Sequence, residues 1–115
     1  MTVKELYNLL GEDYAEVQSR LDNDEWIAKY LKKFCEGDYI IVMNRAVSEA
    51  DWKEASKMAR NIKGMALNLG LNKLARISNE CIESLNGNAP VMEIQQSVKI
   101  LNEEYERVLE EISKL

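Results

Sequence analysis

Lys53, Lys57, Arg60 and Lys63 recur at helical spacing around Gly64, within "DWKEASKMARNIKGMALNLG". Cations grouped in this way capture anions. An arginine fork in particular can clamp a carboxylate or phosphate through two parallel hydrogen bonds. A covalent intermediate is a different matter, because a guanidinium stays protonated and its lone pairs are delocalised. No imidazole stands nearby to supply a nucleophile, since the 115-residue chain has no histidine. That absence removes a Ser-His triad, a histidine-ligated metal, a Glu-x-x-His di-iron bundle and a proton shuttle near neutral pH.

Two further groups of residues could do chemistry. Cys35 and Cys81 lie in no metal-type spacing and read as reduced thiols that fill apolar space. Glu103, Glu106 and Glu110 share one helix face in "EEYERVLEE". Paired carboxylates do acid–base work only in a cleft that shifts their pKa values, and opposite an apolar stripe they read as solubilising charges. No cofactor and no metal site follow from any of these residues.

The elements that carry the cations are helices. Asp51 with Glu54 forms a capping-box pattern, and Gly70 takes the C′ position after "NL". Between them Trp52, Ala55, Ala59, Ile62, Ala66 and Leu69 step by three and four, which defines the inward face. At about 100° per residue, Lys53, Gly64, Ser56 and Leu67 fall within roughly 40° of Arg60. Lys57 and Lys63 fall within roughly 60° of it, and the apolar set lies opposite. Ser56, Lys57, Arg60, Lys63, Gly64 and Leu67 therefore form the expected partner-binding face. Gly64 costs that helix about 1 kcal/mol against alanine, so a hollow there needs a reason.

The rest of the chain reads as helix too. Thr2 with Glu5 caps a short helix that Gly11 stops, and Tyr14, Val17 and Leu21 mark a second. A helix from about Asp24 to Gly37 turns Ile27, Leu31 and Phe34 inward, and Asp38 is placed to cap the next one, to about Ser48. After the cationic helix, Asn72 opens a segment with Leu74, Ile77, Cys81 and Leu85 inward. Pro90 suits the first turn of the last helix, where Val91, Ile94, Val98, Leu101, Tyr105, Val108, Ile112 and Leu115 form a heptad stripe. Trp26 and Trp52 are expected to pack at bundle ends, the methionines to fill gaps, and the Tyr105 hydroxyl to reach an edge. The spacing predicts an all-α, antiparallel up-down four-helix bundle with additional short helices at the N-terminus. It is one domain, with residues 1–23 as an N-terminal extension to the bundle of 24–115.

Composition agrees, with 46% hydrophobic and 30% charged residues. The stretch from Asp51 to Arg76 holds six cations against two anions, although the whole chain carries a net −5. A cationic face on an acidic molecule suits an acidic protein partner, whereas a sequence pI near 4.8 argues against nucleic acid. The N-terminus shows no apolar run behind a basic flank, and no stretch approaches the roughly 20 apolar residues of a membrane span. The cytoplasm and a monomer are expected, although a heptad stripe serves a dimer equally well.

With these residues in hand, the chain resembles the histidine-containing phosphotransfer (HPt) domains of bacterial multistep phosphorelays. Their active helix carries Ala-His-x-Leu-Lys-Gly, then a small residue, then a closing Leu-Gly. Here the order is Ala59-Arg60-Asn61-Ile62-Lys63-Gly64, then Ala66, then Leu69-Gly70. Asp51-Trp52 at the helix start, Phe34 before it and Leu74 after it match as well, and the resemblance covers roughly residues 24–115. It implies a four-helix bundle that docks on response-regulator receiver domains, with Lys63 beside the phosphoryl position and Gly64 admitting the receiver. The departure is Arg60, which occupies the seat of the phosphoacceptor histidine. The resemblance then implies a pseudo-HPt protein, not an enzyme, that binds a receiver without carrying phosphate. Two other readings fit the same residues: an interaction bundle with a partner that is not a receiver, and an HPt phosphotransferase whose native histidine has been replaced by Arg60.

Overall fold

Helices take their places here through caps and glycines that are mostly local. In the computed structural model, which describes residues 1–115, seven helices follow one another and there is no strand. They are α1 (Val3–Leu10), α2 (Tyr14–Leu21), α3 (Asp24–Glu36), α4 (Tyr39–Ser48), α5 (Trp52–Asn68), α6 (Asn72–Asn86) and α7 (Val91–Ile112). No helix is long and apolar enough to cross a membrane. Thr2 caps α1 by accepting from the Glu5 amide and donating to the Glu5 carboxylate, each at 3.1 Å. Asp13, Asn23 and Asp51 accept from the amide three residues on, at the starts of α2, α3 and α5.

Some caps differ from expectation. Asp38 makes no side-chain cap on α4, because its backbone sits at φ −102°, ψ 17° instead of the extended region from which an N-cap side chain reaches back. Pro90 stands just ahead of α7 as its N-cap. Val91, exposed, lies before the packed stretch of the heptad stripe, and Ile94, Val98, Leu101, Tyr105, Val108 and Ile112 are buried as the spacing predicts.

α5 packs chiefly against α6 and α4, and α6 packs against α7. α7 also touches α1, α3 and α4. Asn44 of α4 and Asn102 of α7 exchange side-chain amide hydrogen bonds at 2.8 and 2.9 Å, tying those two helices together. A continuous cluster of 28 buried apolar side chains draws on all seven helices. The molecule measures 42 × 21 × 19 Å, elongated along the helices.

Residues 1–23 belong to this same core, through Val3, Leu6, Tyr7, Leu10 and Val17. They also complete the turn between α5 and α6. The end of a helix leaves carbonyls without partners and the start of the next leaves amides without partners. Leu71 cannot cap α6 with its side chain, and the Glu12 carboxylate accepts from the Lys73 amide at 3.0 Å in its place. On the other side, Tyr7 Oη donates to the Leu69 carbonyl and Arg20 Nη2 donates to the Leu67 carbonyl at 3.2 Å. Gly70 makes the turn possible at φ 68°, with Leu71 N–H bonded to Ala66 O at 2.8 Å and Gly70 N–H to Leu67 O at 3.2 Å. A Cβ on Gly70 would also run into the Val17 side chain.

Candidate functional site

The outward face of α5 is built by what its inward face buries. Ala55, Ala59, Ile62 and Ala66 are wholly buried, and the three alanines let α4 and α6 approach closely. This orientation sends Lys53, Lys57, Arg60, Gly64 and Leu67 to solvent along one stripe. Lys53, Lys57 and Arg60 make no ion pair and no side-chain hydrogen bond, so their charges are available to a partner. Leu67, 48% exposed, adds an apolar contact at the C-terminal end of the stripe.

Gly64 lies in the middle. Around a Cβ placed on it there is no heavy atom within 4 Å, so the missing side chain leaves open space. Its φ is not positive, and no neighbouring helix packs over it. Neither backbone conformation nor internal packing explains a glycine at this position. What remains on the surface is a hollow one turn after Arg60.

Two residues of the expected face belong elsewhere. Ser56 is 1% exposed, and its Oγ donates to Asn86 Oδ1 at 3.0 Å, fastening α5 to the end of α6. Its position on the wheel lies at the edge of the face, and α6 covers that edge. Lys63 is half-buried on the same side, where its Nζ donates to Asn79 Oδ1 at 2.9 Å. Asn79 in turn donates to the Glu83 carboxylate at 3.2 Å. Lys63 is thus a held cation at the rim of the stripe, and Asn79 and Asn86 are residues that sequence reading missed. Their only signal is their spacing on α6, which says nothing of α5 without the register between the two helices.

The other cations of the segment are already paired. Arg76 meets Glu80 at 3.3 Å, and Lys73 lies 3.8 Å from Glu104. Glu104 is buried on α7, where Arg107 Nε and Nη2 each donate to its carboxylate at 2.8 Å. Glu103, Glu106 and Glu110 are all exposed and enclose no cleft. No group of three or more His, Cys, Asp or Glu side chains converges as metal ligands would. Cys35 is half-buried and Cys81 buried, both unpaired, and burial pushes both thiols up from their ordinary range.

The remaining aromatic expectations are partly corrected. Trp26 is exposed, stacked on Tyr30 with ring centroids 6.0 Å apart, and Lys29 Nζ lies 4.9 Å from its ring. Tyr105 does not reach an edge: it is 1% exposed, packs on Phe34 and leaves its hydroxyl without a partner. Met43 is buried as a gap-filler, but Met92 is 81% exposed at the start of α7.

Comparison with known proteins finds no matching family model, no matching curated protein and no matching solved structure.

Proposed function

We propose that this protein is an HPt-type adaptor that docks on response-regulator receiver domains and carries no phosphoryl group itself. On this reading residues 24–115 hold the antiparallel four-helix bundle of that family, α5 is the docking helix, and the protein works in the cytoplasm of a bacterial cell as a monomer. The observation that carries the reading is the pairing of Arg60, exposed and unpaired, with the open hollow at Gly64.

The mechanism is one of charge and fit. Receiver active sites are clusters of aspartates, and a guanidinium entering one can bond two carboxylate oxygens at once. Gly64 lets the partner's backbone come close to α5, and Leu67 offers it an apolar contact. Lys53 and Lys57 steer an acidic surface toward the stripe, and Lys63, steadied by Asn79, holds a positive charge at its edge. Phosphoryl transfer through Arg60 is not expected, because a protonated guanidinium is a poor nucleophile and the chain has no histidine to replace it. Bound in this way, the adaptor withholds the receiver from a true phosphodonor.

Calorimetric titration with receiver domains from the same cell tests the reading. Binding tighter than about 100 μM is expected, and Arg60→Glu should weaken it by about tenfold or more. No binding at that concentration would leave the receiver reading without support and favour a partner of another class. Stable radiolabel on this chain after mixing with a phosphorylated receiver would overturn the no-transfer half of the proposal.

A further inference from the structure

A cavity of about 430 Å³ lies beside α5 on a side other than the docking stripe, bounded by α2, α3, α4 and α5. Its walls are aromatic and soft: Tyr30, Phe34 and Tyr39 contribute rings and Met65 a thioether. Gly37 helps to shape it. At φ −71° this glycine is in ordinary backbone geometry, yet a Cβ there would collide with the ring of Tyr39. The missing side chain is what allows that ring to lie back against the end of α3.

The charged part of the lining is cationic, and Asn68 adds a neutral amide. Arg20 and Lys33 line the cavity, and none of its nine lining residues is a carboxylate, on a chain with a net charge of −5. Lys33 has no ion pair and no hydrogen bond from its ammonium group. Arg20 is held in place by its bond to the Leu67 carbonyl and by a 3.3 Å contact with Glu16. That contact is an exposed ion pair, which an arriving anion can replace cheaply. The volume lies within the ordinary range for small-molecule sites, which are mostly apolar with a few convergent polar groups.

We infer that this cavity binds a small planar aromatic carboxylate, with its ring between Tyr30, Tyr39 and Met65, above the buried Phe34, and its charge toward Lys33 and Arg20. The inference does not depend on the receiver reading, since none of these residues belongs to the docking stripe.

The test is a titration of the full-length, isotope-labelled protein with 2-naphthoate, followed by amide NMR, beside 2-naphthalenemethanol as the uncharged analogue. Saturable shifts are expected around Phe34, Tyr39 and Met65, with a dissociation constant below about 1 mM and at least about tenfold weaker binding of the alcohol. Lys33→Glu, a change at an exposed position, should weaken naphthoate binding by about tenfold while leaving the alcohol unaffected. Met65→Trp should fill the space and abolish binding of both. Shifts scattered over the surface, equal affinity for acid and alcohol, or unchanged naphthoate binding by the Lys33→Glu protein would each overturn the inference.

Discussion

Two buried tyrosines near opposite ends of the chain carry opposite consequences. Tyr7 donates its hydroxyl proton to the Leu69 carbonyl, whereas the Tyr105 hydroxyl has no partner. Tyr7→Phe should therefore cost about 1–2 kcal/mol, and Tyr105→Phe should raise stability by about 1 kcal/mol at neutral pH, both readable from urea midpoints. Burial pushes the Tyr105 hydroxyl up to about 12 and raises Tyr7 as well. Both hydroxyls stay protonated in the folded protein at a pH where those of the unfolded chain ionise. Stability from this source is complete below about pH 10 and is lost as pH rises toward 12. Tyr105→Phe should flatten part of that alkaline slope, and an unchanged slope would count against the assignment. The expectation that the Tyr105 hydroxyl reaches an edge failed because the heptad position sets the direction of a ring and not the depth of what surrounds it.

The two glycines at the ends of "GMALNLG" show how differently an element can use the same residue. Gly64 has open space around it and ordinary helical geometry, so Gly64→Ala should stabilise the protein by about 1 kcal/mol in thermal unfolding. Gly70 has φ 68° and Val17 against it, so Gly70→Ala should cost about 3 kcal/mol, and adding Val17→Ala should restore part of the loss. Both positions were legible in the sequence. A glycine after "NL" at a helix end is a C′ signal, and Gly64 is outward on the wheel. Ser56 and Lys63 were legible only in direction. Which side of α5 is covered depends on where α6 lies, and Asn79 is 16 residues from Lys63, beyond any local pattern. Asp38 looked like a cap by residue type, but its backbone takes a different turn.

At the scale of the whole molecule, the all-helical class and the apolar stripes could be read from spacing alone, while the contacts that close the fold could not. Glu104 is the main case. It lies beside the buried stripe of α7, yet it joins Arg107 to a lysine on α6. Glu104→Ala should cost about 2 kcal/mol, chiefly by leaving Arg107 without its two-pronged partner, and a melting curve will show it. The charge of the cationic stripe on α5 is a global property as well. If the proposed receiver docking holds, three unpaired cations on a molecule of net −5 should make that association fall steeply between about 50 and 300 mM salt, measured as an on-rate.

The staple formed by Tyr7, Arg20 and Glu12 across the α5–α6 turn gives the first twenty-odd residues a remote reach. Asp22, at φ 71° between α2 and α3, is an exposed bend within range of a protease. A cut there would release the peptide that holds the far end of α5 and would slacken the cationic stripe without touching one of its side chains. Clipped protein should then melt earlier and more broadly by circular dichroism, and an unchanged transition would show that the staple is dispensable.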